Sequence, residues 1–150
     1  MKPSRIVLRA LSMALATGLA STALAQPMVS LGSAVYIEHT GAGANTRSLQ
    51  PADRLSRGDR VITVVTWSRP RGNGGFTVTN PLPRAIAYQD SAHDDEQVSI
   101  DGGRTWGHLG DLRIGARLAT AEDVTHVRWR VSPQTAAQGR GNIAYSGIVR

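Results

Sequence analysis

The sequence predicts an all-β protein, an antiparallel β-sandwich of about seven or eight strands behind a short leader. Three observations carry this. No segment beyond residue 25 sustains the 3.6-residue apolar period of a helix. Short runs of β-branched and aromatic residues recur between clusters of Gly, Pro, Asn and Asp. Val124 to Val131 alternates between polar and apolar residues from His126 on, as a half-buried strand does.

The organising stretch is Gly58 to Trp67, entered through the turn pair Gly58-Asp59 and left at Pro70. Its Val, Ile and Thr residues suit a pleated surface, and Val61, Thr63, Val65 and Trp67 point to one side of it. Ile62 and Val64 make the other side apolar too, so this central strand is expected to meet protein on both faces.

Taken in order, the chain opens on Lys2, Arg5 and Arg9, followed by an uncharged run from Ala10 to Ala25 that ends in Ala23-Leu24-Ala25. A basic start, an apolar middle and a small-residue site mark a secretory signal peptide, helical until removed, with cleavage expected before Gln26. Thr17, Gly18, Ser21 and Thr22 dilute the run below what a membrane span requires. No Cys is present to accept a lipid. The expected product is soluble, exported to the periplasm, cell surface or medium, and not stably inserted in a membrane.

Cleavage takes three of the seventeen basic residues away. Fourteen remain against eleven acidic ones, so the net charge falls from +6 to +3. That modest charge, on a chain bound for export, argues against nucleic-acid binding. Lys2 is the only lysine, so the mature chain has none for Schiff-base chemistry. Residues 26–150 fit one domain held together by apolar burial without disulfides.

Ser33 to Thr40 reads as the first strand, with Gly41 to Asn45 breaking it. Ser48 to Gly58 reads as loop, given Pro51, Asp53 and the Ser56 to Asp59 turn. After the central strand, Arg69 to Gly75 is expected to be an exposed, mobile turn. Phe76 to Asn80 is a strand stopped by Pro81-Leu82-Pro83, and Ala85 to Gln89 is another, with Ile86 and Tyr88 on one face.

The Asp101-Gly102-Gly103-Arg104 turn joins Val98 to Ile100 with Thr105-Trp106 as a hairpin, because Asp-Gly accommodates positive φ. Gly107 to Asp123 is either irregular or holds a short strand near Asp111 to Leu118. Val124 to Val131 turns Val127, Trp129 and Val131 inward and His126, Arg128 and Arg130 outward. Ser132 to Gly141 reads as a long turn. Asn142 to Arg150 closes the domain, with Ile143, Tyr145 and Val149 on one face.

The order of short motifs, Pro51-Ala52-Asp53, Gly58-Asp59, Asn80-Pro81-Leu82-Pro83, Tyr88, Asp101-Gly102-Gly103 with Thr105-Trp106, and Val127-Arg128-Trp129, resembles the bacterial conserved repeat domain over most of residues 45–150. This is a domain of unknown function in secreted and cell-surface proteins. Ser68-Arg69 stands where that family has Thr-Asn, and Asn80 stands for its usual Asp. The resemblance implies an immunoglobulin-like sandwich and a structural, adhesive or protein-binding module, and it supplies no catalytic residues.

The chemistry legible in the residues points the same way. Ser99 to Trp106 fits the Asp-box pattern of propeller blades, but a single copy does not make a propeller, so the turn is expected to be structural. His39, His93, His108 and His126 lack zinc-ligand spacing. The acidic run Asp90 to Glu96 lacks the Gly and final Glu of a calcium loop, and reads as solvated surface or, alternatively, as a calcium-binding loop. No Gly-x-Ser-x-Gly elbow occurs, and Gly72 to Gly75 lacks the Lys-Ser/Thr of a phosphate loop.

The expectation is therefore a non-enzyme with no metal and no cofactor. A soluble periplasmic hydrolase or a binder of glycans or small ligands is the alternative. The partner-binding residues singled out are His126, Arg128 and Arg130, in a row on one strand, with Arg69 and Arg71 on the glycine-rich turn. They suit an acidic envelope protein or an anionic envelope polymer. Outward charges are also the ordinary state of a strand, where they simply keep a surface soluble.

Overall fold

A computed structural model of the chain describes residues 28–41, 47–70 and 74–150. The expected leader, its expected cleavage site and Arg71 lie outside the described residues. Among the described residues ten strands form two packed antiparallel sheets and a small hairpin: β1 Ser30–Thr40, β2 Arg47–Pro51, β3 Arg60–Ser68, β4 Phe76–Pro81, β5 Ile86–Ser91, β6 Gln97–Ser99, β7 Arg113–Ile114, β8 Arg117–Leu118, β9 His126–Val131 and β10 Arg140–Val149. The larger sheet has the order β2-β1-β3-β10-β5 and the smaller one β4-β9-β6. This is an all-β sandwich.

Its core lies between β3, β10 and β5 on one side and the smaller sheet on the other. Val65, Trp67, Tyr88, Ile143 and Tyr145 meet Val78, Val98, Val127, Trp129 and Val131 in one buried cluster. The Trp129 ring stacks on Tyr145 at 5.8 Å, and Trp67 meets Phe76 edge-on at 5.1 Å. Two polar contacts cross the core: Asn80 Nδ2 donates to the Tyr145 hydroxyl at 2.8 Å, and Trp129 Nε1 donates to Ser91 Oγ at 3.1 Å. Both satisfy groups that burial would otherwise strand.

The central strand is where the pattern placed it, between β1 and β10. Val61, Thr63, Val65 and Trp67 are all buried, whereas Ile62 and Val64 are only half-buried. The expectation that both faces meet protein is corrected: among the described residues the smaller sheet covers one face, and Ile62 and Val64 on the other are only half-buried.

Residues 47–51 are not loop. They form β2 on the outer side of β1. Pro51 is tolerated because it stands opposite Tyr36, whose backbone groups turn towards β3, so no N–H is missed.

Elsewhere the differences have local causes. The pairing of β10 with β5 shifts register between Ser146 and Gly147, leaving Gln89 as an extra residue on β5. That bulge brings both Tyr88 and Ser91 to the inner face, which a plain two-residue period would separate. Gly147 is required there: a Cβ would come within 2.4 Å of Ile86 Cγ2 and 2.9 Å of the Ala87 carbonyl oxygen. The Asp101 turn is followed by a single bridge, Val98 to Gly107, rather than by a second full strand. The long turn after β9 contains one helical turn, α1 Pro133–Ala136, with Ser132 as its cap and Pro133 at its first position. Residues 107–123 hold the β7–β8 hairpin and a 3₁₀ turn at Ala121–Asp123.

Candidate functional site

Strand β9 presents its even-numbered residues on the outside of the smaller sheet, and the Asp101 turn folds over one end of that face. Ser99 and Asp101 build the turn. The Asp101 carboxylate accepts the Ser99 hydroxyl at 2.8 Å and the backbone N–H groups of Arg104 and Thr105 at 3.1 and 2.9 Å, while Ser99 Oγ accepts the Gly103 N–H at 2.9 Å. Gly102 and Gly103 supply the φ values of 80° and 88° that this path needs. The Thr105 backbone N–H, then the Thr105 and Ser99 hydroxyls, hold Asp101 well below the usual carboxylate range. Its charge is spent on the turn, as the single Asp-box motif implies.

The product of the turn is the placement of Trp106. Its indole Nε1 donates to the Gly103 carbonyl at 2.9 Å, which fixes the ring over β9. The Arg128 guanidinium carbon lies 4.4 Å from the ring centroid, and His126 meets the ring edge-on at 6.4 Å. Arg128 is held from the other strand as well: Nε and one Nη both donate to Gln97 Oε1, at 2.9 and 2.7 Å. Among the described residues no carboxylate pairs with Arg128 or with Arg130. Thr125 donates its hydroxyl proton to the Ser99 carbonyl at 3.1 Å, and the same oxygen lies 3.1 Å from His126 Nδ1.

The row His126, Arg128, Arg130 thus lies on one face, but it is not uniformly wet. Arg130 is exposed, opposite Thr77 of β4, whereas His126 and Arg128 are half-buried beneath the Asp101 turn. Arg69 lies apart from the row. It stacks at 5.3 Å on Phe76, which pairs with Val131 and so belongs to the inward face at the rim. Trp106 and Gln97 were missed by reading the strand alone, and the one signal that could have found Trp106 is the Asp-box pattern.

No family model, curated protein or solved structure matches the chain.

Other polar groups serve the fold. Ser91 Oγ, in the acidic stretch, accepts from Trp129 and from the His93 N–H. Among the described residues no group of three or more His, Cys, Asp or Glu side chains converges in a way that could hold a metal ion. Burial raises Glu96 from 4.5 to about 7, and its Oε2 is buried without a hydrogen-bond partner among the described residues. A surface cleft of about 590 Å³ spans the Gly32, Thr66 and Asn142 end of the larger sheet, and among the described residues no Asp, Glu or His lines it. Among the described residues no helix is long and apolar enough to cross a membrane.

Proposed function

We propose that this chain is an exported module of the cell envelope or its surroundings, of the conserved-repeat-domain kind, acting by binding rather than catalysis. Its partner is an acidic envelope protein or an anionic envelope polymer, held on the β9 face. The observation that carries this reading is Arg128: a guanidinium braced by Trp106 and Gln97, half out of water, with no carboxylate partner among the described residues. A cation fixed in this way loses little rotamer freedom on meeting an anion, and a bidentate contact suits a carboxylate or phosphate. Arg130, two residues on and exposed, extends the same field.

The test is co-sedimentation of the protein with isolated envelope material at rising salt, alongside cell fractionation and intact-mass measurement. We expect a product beginning at Gln26, found outside the cytoplasm, whose association falls about tenfold as ionic strength rises from ~0.05 to ~0.3 M. Arg130→Glu is expected to weaken association with an unchanged melt. Binding indifferent to salt and to Arg130→Glu would reject the β9 face, and a chain retaining residues 1–25 in the cytoplasm would reject export.

A further inference from the structure

Among the described residues one sheet edge is left open. β2 pairs only with Tyr36–Thr40 of β1, and the next contact along that side is the Ala52 N–H to the Val35 carbonyl at 3.0 Å. From Ala34 back to Ser30, β1 is paired with β3 on one side, and among the described residues nothing pairs with it on the other. Ser30 to Ala34 are all exposed, as are Met28 at 82 % and Leu31 at 53 %. The Val35 carbonyl faces outward, so alternation along the strand turns the N–H and C=O of Leu31 and Ser33 outward too.

Edges are ordinarily blunted by charge, proline or a bulge. β2 carries Arg47 and Pro51, β4 ends in Pro81, and β5 carries Asp90 and the bulge. No charged residue and no proline occurs from Met28 to Ile37.

We infer that this edge pairs with the same edge of a second copy of the chain, joining two larger sheets into one continuous sheet about a two-fold axis. The free length selects the register. If the axis passed beside Gly32, Val29 of the second copy would stand opposite Val35, where Ala52 already is. With the axis beside Leu31, the whole stretch 28–34 fits: Leu31 faces Leu31 of the second copy, Val29 faces Ser33, and Met28 faces Ala34. The outward groups of Val29, Leu31 and Ser33 then form about six backbone hydrogen bonds. The two Leu31 side chains cover one another on the Trp67 face of the sheet, where each is 53 % exposed in the single chain. An uncharged stretch pairs with itself without like-charge repulsion, which is what an antiparallel two-fold requires. The contact is smaller than the ~800 Å² per partner of a standard interface, so the dimer is weak and depends on concentration.

The chain has no cysteine, so a single introduced thiol reports cleanly. In protein recovered from cells expressing the full chain, sedimentation from ~1 to ~500 µM is expected to show a monomer–dimer equilibrium, which Leu31→Lys shifts at least tenfold towards monomer by opposing two ammonium groups. Under mild oxidation Leu31→Cys is expected to yield a covalent dimer, because facing Cα atoms ~5.5 Å apart are within disulfide reach. Ala34→Cys is expected to yield none, since the register separates the two copies of residue 34 by ~20 Å. A protein monomeric at ~500 µM, or equal cross-linking at the two positions, would overturn the inference. Should Leu31→Lys disturb the fold, the paired cysteine variants decide the matter alone.

Discussion

The larger sheet has two halves that differ in what covers them. Under the smaller sheet, β3, β10 and β5 bury Val65, Trp67, Ile143 and Tyr145 to 4 % exposure or less. The flank formed by β1 and β2 leaves Leu31 and Leu49 at 53 % and 51 %. Strand pairing is unbroken in the flank, whereas the covered half carries the bulge at Gln89. What the contrast teaches is that hydrogen-bonded pairing sets the strands in place while stability comes from the second layer, so sensitivity to mutation should follow coverage and not regularity.

The largest effect should come from the covered half. Trp129 is buried, stacked on Tyr145 and hydrogen-bonded to Ser91, and Trp129→Ala is expected to cost about 3–5 kcal/mol, whereas Leu49→Ala on the flank should cost less than about 0.5 kcal/mol. Urea melts of both variants measure the contrast; comparable losses would erase it.

An intermediate effect is expected at the bulge. Gly147→Ala forces a methyl group against Ile86 and the Ala87 carbonyl and should cost about 1–3 kcal/mol. A near-neutral result would mean that β5 can slide and that the bulge does not pin the register.

The smallest effect concerns pH. Glu96 has its folded-state value raised from 4.5 to about 7, so the folded protein binds a proton more tightly than the unfolded chain does. Its contribution is most favourable below 4.5 and is lost as pH climbs through 7. Asp101, held low chiefly by the Thr105 N–H, and Asp123, held low chiefly by the Arg117 fork, act oppositely: their contribution is present above their ordinary 3.8 and is lost on acidification. Thermal melts should therefore peak near about pH 4–5 and drop by about 1–3 °C by pH 8, the partial exposure of Glu96 keeping the change small. Glu96→Gln should flatten the alkaline side. A wild-type melting temperature that rises from pH 5 to 8 would contradict the assignment.

Alternation made β4 and β9 legible, because a strand with one covered face writes its burial into a two-residue period, and a run of β-branched residues made β3 legible. Val127, Trp129 and Val131 are inward as read. β2 could not be read this way. All five of its residues are exposed, so no burial pattern marks it, and Pro51 argued for a loop until its partner was known. Of the candidate site, the row His126, Arg128 and Arg130 was visible in the sequence. That Arg128 lies on Trp106 and is held by Gln97 was not, since those residues are distant along the chain and meet only through the turn and through the pairing of β6 with β9.

By itself, then, the sequence determined the class of fold, the inward face of the strands under the second layer and the Asp101 turn, because these depend on local backbone preference and on which side chains avoid water. Only the tertiary structure decided which strands neighbour one another, where the second layer stops and which edge is left open. Those depend on pairings between distant segments, and a strand carries the same period of two whether it lies at the centre of a sheet or at its rim.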